Sequence, residues 1–165
     1  TAQIAIEAAL TGHLVLSSLH TNDAPSAMTR LIEMGIEPFL VGSGIDCVVA
    51  QRLARRLCEH CAEDHEITRD QLPPIIQSMV GESLPTLMRP VGCSRCSNTG
   101  YRGRVALHEI MEINEPIERL AVAQASSAEI GRTAREHGMQ TLMEDGWAKA
   151  VEGLTSLEEL LSVVK

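Results

Sequence analysis

Four of the five cysteines in this 165-residue chain fall into two C-x-x-C pairs, Cys58 with Cys61 and Cys93 with Cys96, separated by 31 residues. A C-x-x-C turn aims two thiolates at one point, and two such turns complete the tetrahedron that zinc prefers, at about 2.3 Å per sulfur. The usual spacer is roughly 15–20 residues, so the expected site closes a larger loop. Without a secretory signal a disulfide framework is the weaker reading, and a redox dithiol needs one reactive pair rather than two distant ones. A structural four-cysteine zinc site is therefore expected, with free or disulfide-linked thiols as the alternative. His60 and His65 lie beside the first pair and could substitute as ligands, although the plainer reading leaves them facing solvent. Cys47 stands among Ile45, Val48 and Val49 and reads as a buried, small apolar side chain.

His20 is the other candidate for chemistry. It closes the stretch Ser17-Ser18-Leu19-His20 and is followed by Thr21 and Asn22. The continuous apolar run Leu14, Val15 and Leu16 reads as a strand buried on both faces of a parallel sheet. Ligands bind at the carboxyl ends of such strands, and Thr21 and Asn22 would add a hydroxyl and an amide suited to phosphate oxygens or ordered water. The residues alone leave open a structural His20, hydrogen-bonded to a loop carbonyl. His13, at the opposite end of the strand, reads as structural; His108 and His137 have no partner spacing. Arg52, Arg55 and Arg56 could pair with phosphate or with a subunit acid, or form a solvated basic edge. Arg102 and Arg104 flank Gly103 in a basic turn suited to an anion nest or an interface salt bridge. The chain holds no G-x-x-x-x-G-K-[ST], G-x-S-x-G, H-E-x-x-H or G-x-G-x-x-G. By itself it does not contain a complete active site.

The elements that must position these residues follow from pattern. Residues 2–11 are Ala-rich and apolar at helical spacing, with Gly12 as the stop. Asp23 and Pro25 open a second helix, whose Met28, Leu31 and Ile32 share a face before Gly35. An apolar stretch from Pro38 and a β-branched segment around Val48 and Val49 lead into the arginines. The first sixty residues thus read as half of an α/β layer architecture. Pro73-Pro74 halts any helix begun at Thr68, and Ile75, Ile76, Met79 and Val80 fit a short amphipathic helix. Val105, Leu107 and Met111 alternate in a strand that runs through Ile113. From Asn114 the tail is helical, with capping-box spacing at Ser126/Glu129, Thr141/Glu144 and Thr155/Glu158. Leu157, Leu160, Leu161 and Val164 give the last helix an apolar docking stripe.

Composition narrows the class. The net charge is −8, apolar residues make up 44% and charged residues 22%, with Phe39, Tyr101 and Trp147 the only aromatics. That is a folded chain of one domain or two small ones. The acidic balance argues against a nucleic-acid partner, because phosphate neutralisation needs a basic surface. Asp46 and Gln51 interrupt the longest apolar candidate well short of the roughly 20 residues that cross a bilayer. The start Thr1-Ala2-Gln3, without a Met, reads as a piece of something longer.

Several stretches together resemble the type II/type IV secretion ATPase superfamily. They are residues 1–5, Leu10-Thr11-Gly12-His13-Leu14-Val15-Leu16-Ser17, Leu19-His20-Thr21-Asn22-Asp23-Ala24, Gln51-Arg52-Leu53, Leu57-Cys58, Gly92-Cys93 and Thr99-Gly100-Tyr101-Arg102-Gly103-Arg104. The second of these is similar to the family's histidine box, which usually reads Ser-Thr-Leu-His where this chain has Ser17-Ser18-Leu19-His20; a methyl is lost and the hydroxyl kept. The two cysteine pairs resemble the tetracysteine zinc domain of the branch that powers type II secretion and type IV pilus extension. The resemblance covers nearly the whole chain, although residues 69–89 and the tail match only in general character.

That resemblance implies the C-terminal part of a RecA-like P-loop NTPase core (residues 1–57), an inserted tetracysteine zinc module (58–97), and a closing strand with a C-terminal helical subdomain (98–165). It implies ATP and Mg²⁺ in a full-length hydrolase whose Walker A loop, aspartate box and Walker B segment lie before Thr1. His20 would sense the γ-phosphate, supported by Thr21 and Asn22, while Arg52 and Arg55 would contact nucleotide or a neighbouring subunit. The family works as a homohexamer at the cytoplasmic face of the inner membrane, bound to an inner-membrane platform protein. The chain alone is expected to be inactive. The competing expectation, from a different class, is a non-catalytic zinc-binding protein-interaction module.

Overall fold

The computed structural model describes residues 1–164. In chain order the elements are α1 (Ala2–Leu10), α2 (Pro25–Glu33), α3 (Pro38–Gly44), β1 (Cys47–Leu57), β2 (Glu63–His65), α4 (Pro74–Gln77), β3 (Leu87–Arg89), β4 (Tyr101–Glu112), α5 (Glu115–Val122), α6 (Ser127–Glu136), α7 (Leu142–Val151) and α8 (Leu157–Val163). The α/β class is as the sequence implies. β1 pairs with β4 and β2 with β3, each in a two-stranded sheet. Cys58 N–H donates to Gly100 O at one end of the first pair, and Ile113 N–H donates to Asp46 O at the other, both at 2.9 Å, so β1 and β4 run antiparallel. Among the described residues no helix is long and apolar enough to cross a membrane.

Two compact units share the chain, residues 1–51 with 108–141 and residues 52–107 with 142–165. In the first, α1, α2, α3, α5 and α6 surround Met28, Val41, Met111, Ile117 and Ile130, all fully buried. α1 ends where expected, at Thr11 and a left-handed Gly12. The helices crowd at two glycines. A Cβ at Gly44 would stand 2.7 Å from Ile6 Cγ2 of α1, and one at Gly42 would stand 3.3 Å from the Glu118 carbonyl of α5. Asn114 caps α5 by accepting the Ile117 N–H, and Ser126 with Glu129 forms the expected capping box of α6.

The second unit holds the cysteines. β2 and β3 pair antiparallel with Asp64 opposite Met88. Leu72, Ile76 and Leu87 bury beside them, and the one-turn helix Arg69–Gln71 stops before Pro73 as expected. α7 approaches α8 so closely that a Cβ at Gly146 would lie 2.2 Å from Leu160 Cδ1.

Four expectations need correction. Residues 13–20 form no strand, and Leu14 and Leu16 are 86% and 87% exposed. A strand exists only by pairing, and this segment joins neither sheet of the described residues. The turn expected at residues 100–104 belongs instead to β4, which begins at Tyr101 and accommodates the left-handed Gly103 within it. Cys47 is exposed rather than buried, because it lies on the same outward face of β1 as Val49 and Leu53. The last helix is capped one residue later than expected, by Ser156 accepting the Glu159 N–H at 3.1 Å.

Candidate metal centre and histidine segment

Two short turns bring the sulfurs together. Cys58 follows β1, and its carbonyl accepts the N–H groups of Cys61 and Ala62. Cys93 opens the one-turn helix Ser94–Cys96, and its carbonyl accepts from Cys96 and Asn98. Left-handed Ser97 and Asn98 then reverse the chain toward Gly100. All four Sγ atoms lie within 4.8 Å of one another. Cys58–Cys93 is 4.0 Å, and both Cys61–Cys96 and Cys93–Cys96 are 3.8 Å. A tetrahedron with metal–sulfur bonds of about 2.3 Å has edges of about 3.8 Å. The thiols are free rather than disulfide-linked.

The backbone around the sulfurs favours thiolates. Gly92 N–H donates to Cys61 Sγ at 3.3 Å, while Cys93 and Gly100 donate to Cys96 Sγ at 3.2 and 3.3 Å. Two of these donors need glycine. A Cβ at Gly100 would stand 2.4 Å from Pro90 Cβ, and one at Gly92 would stand 2.8 Å from the Asn98 carbonyl. Burial pushes the Cys96 thiol up, but its two N–H donors outweigh burial and, with the neighbouring sulfurs, hold it at about 6. At Cys61 burial prevails over the single Gly92 donor and pushes the thiol up to about 11, helped by the other three sulfurs. Soft donors at tetrahedral spacing fit a metal ion. The histidines stay outside this group: Arg95 Nη1 lies 2.9 and 3.1 Å from the two ring nitrogens of His60, and His65 sits in β2 opposite Leu87.

Directly behind Cys58 lies a polar knot. Arg55 Nε and Nη2 reach Glu159 Oε2 at 2.8 and 2.6 Å, and Arg55 N–H donates to Glu159 Oε1 at 2.8 Å. The guanidinium lies 4.1 Å from the centroid of the Tyr101 ring. Tyr101 Oη meets Ser156 Oγ at 2.7 Å, Thr155 Oγ1 donates to Arg55 O, and Leu57 N–H donates to Leu154 O. Burial raises the Glu159 carboxyl, but the Arg55 side chain and N–H more than offset it and hold the group below the usual carboxylate range. Arg56 pairs with Glu59 at 2.5 Å, and Arg52 is half-buried in β1.

The histidine segment belongs to the first unit. His13 is tied back to α1, with its N–H on Ala8 O and its Nδ1 3.1 Å from Thr11 Oγ1. His20 is exposed, Thr21 half-buried and Asn22 exposed. The segment is fastened where α2 begins. Asp23 Oδ1 accepts the Ser26 N–H at 2.8 Å, and Glu109 Oε1 accepts the Ala24 N–H at 2.7 Å.

The family described as "Type II/IV secretion system protein" matches residues 1–162. The chain belongs to that family. It is 48% identical over 162 residues to the type IV pilus assembly ATPase PilB of Thermus thermophilus, covering 98% of this chain and 18% of that protein. It is 43% identical over 165 residues to the type II secretion system protein E of Aeromonas hydrophila, covering the whole chain and 32% of that protein. The chain therefore spans only 18–32% of the length of these relatives. The X-ray structure of the Legionella pneumophila ATPase DotB shares its fold, with a TM-score of 0.57 at 19% identity, covering 95% of this chain and 33% of that one.

Within this secretion-family chain, the structure gathers Cys58, Cys61, Cys93 and Cys96 as their spacing predicts, and it leaves His20, Thr21 and Asn22 in the other compact unit. Two acids escaped sequence reasoning. Glu109 had a visible signal, since the alternation Leu107, Glu109, Met111 puts a carboxyl on the buried face of β4. Glu159 had none, because its partner Arg55 lies 104 residues away.

Proposed function

We propose that this chain is the C-terminal portion of the RecA-like core of a hexameric ATPase that powers type II secretion or type IV pilus assembly. The observation that carries the reading is identity of 43–48% over 98–100% of the chain to both kinds of secretion-machine protein. Under this reading residues 1–57 belong to the ATPase core, 58–97 form a zinc module, and 98–165 close the core with a helical subdomain. The whole protein works in the cytoplasm, docked on an inner-membrane platform protein.

The reaction is phosphoryl transfer from ATP to water, in which Mg²⁺ supplies charge neutralisation and the protein supplies positioning. His20 holds or senses the γ-phosphate from its exposed segment, with Thr21 and Asn22 supporting it. Arg52 contacts nucleotide or a neighbouring subunit. Arg55 is spoken for by Glu159 within its own chain, so it serves β1 and α8 first. Cys58, Cys61, Cys93 and Cys96 hold Zn²⁺, whose role is structural; their sulfur spacing supports this assignment. The second reading, a zinc-bearing interaction module without catalysis, draws its support from that same cluster.

Hydrolysis separates the two readings. In the full-length protein, His20→Ala abolishes most ATP turnover while the thermal midpoint holds; near-normal turnover removes His20 from the mechanism. The 165 residues alone show no turnover above background. Substantial hydrolysis by them would contradict the assignment of nucleotide-binding groups to segments outside this chain.

A further inference from the structure

β4 carries one carboxyl on its apolar face. Glu109 is 4% exposed between Leu107 and Met111, both fully buried. Its Oε1 accepts the N–H of Ala24, itself fully buried, at 2.7 Å and across 85 residues of sequence. Ala24 immediately precedes α2, a helix with no acidic residue in its first turn. Pro25, the next residue, is buried, and a Cβ at Gly131 of α6 would come within 3.2 Å of its ring. The start of α2 is therefore clamped between a carboxyl from β4 and the backbone of α6. His20 stands four residues before Ala24, an extended reach of at most about 14 Å. Residues 13–20 have no regular structure of their own to fix where that reach points.

We infer that Glu109 is a positioning residue for the histidine segment: its carboxyl oxygen holds the Ala24 N–H and so sets the root from which Asn22, Thr21 and His20 project. This inference rests on the assignment of His20 to ATP hydrolysis. It depends on the reach of the acceptor oxygen rather than on charge. Gln keeps an acceptor at the same distance; Asp keeps the charge and withdraws the oxygen by one methylene; Ala removes both.

The test is steady-state hydrolysis by the full-length ATPase carrying each substitution, with thermal midpoints alongside. Glu109→Gln retains kcat within about threefold. Glu109→Asp and Glu109→Ala lose about tenfold or more in kcat with KM for ATP little changed, and Glu109→Asp supplies the comparison if Glu109→Ala does not fold. In a His20→Ala background, Glu109→Asp causes no further loss. Wild-type kcat in Glu109→Asp, a Gln variant as impaired as Asp, or full additivity with His20→Ala overturns the inference. If His20→Ala alone hydrolyses ATP normally, the underlying assignment fails instead.

Discussion

Arg55 and Glu159 show how one ion pair sets the response of the second compact unit to acid. The Glu159 side chain is only 5% exposed and meets three donors of Arg55. A carboxyl held below its ordinary range contributes stability that is present above its unfolded value, about 4.3, and that is lost as pH falls through the lower folded value. Glu159→Gln is thus expected to cost about 1.5–3 kcal/mol at pH 7, the range for hydrogen bonds to charged groups, and to cost progressively less below pH 4. Urea melts at pH 7 and pH 3 check both halves of that statement; an equal loss at both values would remove the ion pair as the cause. Packing offers a second residue-scale test. Gly146→Ala places a methyl 2.2 Å from Leu160 Cδ1 and 3.2 Å from Leu107 Cδ1, and both leucines are fully buried. Overpacking of this kind costs typically 1–3 kcal/mol, visible as a lowered thermal midpoint. At this scale the cysteines were legible because a metal turn writes both of its ligands three residues apart. Glu159 was not legible, since nothing local distinguishes an acid that meets an arginine from one that meets water.

Element boundaries follow the same division. α1, the start of α6 and the stop at Pro73 were legible because caps and proline act within a few residues. The start of α8 slipped by one position for a physical reason. Thr155 and Ser156 can both cap, and Glu158 and Glu159 both stand three residues on; the Thr155 hydroxyl is turned toward Arg55 O, and it is Ser156 Oγ that accepts the first-turn N–H of Glu159. The run Leu14-Val15-Leu16 misled more deeply. Its pattern encodes neighbours on both faces, yet the run joins neither sheet of the described residues and leaves Leu14 and Leu16 exposed and Val15 half-buried. The α7–α8 corner yields an element-scale prediction. Leu154, Thr155 and Ser156 bond to Leu57, Arg55 and Tyr101, which adjoin Cys58 and Gly100 at the root of the sulfur cluster. Stripping metal with a chelator, or Cys93→Ser, should therefore speed hydrogen exchange in α8 as well as in residues 58–96, while α5 and α6 keep their rates. Unchanged exchange in α8 would cut the proposed link between the centre and the last helix.

For the molecule as a whole, elemental analysis after purification without chelator should return about one zinc per chain, and binding should weaken as pH falls because thiolates must lose their protons to bind. Finding no metal would leave the four sulfurs as a thiol cluster only. The exposed leucines of residues 13–20 bear on how the isolated chain behaves in a tube. An exposed apolar stretch invites another copy to cover it, and what keeps copies apart is the net charge of −8. Salt weakens that repulsion, since the screening length falls from about 30 Å at 0.01 M to about 8 Å at 0.15 M, but leaves the leucines as sticky as before. Light scattering should then show self-association that grows with added salt, the reverse of a charge-driven contact, and Leu16→Lys should keep the chain dispersed where the parent clouds.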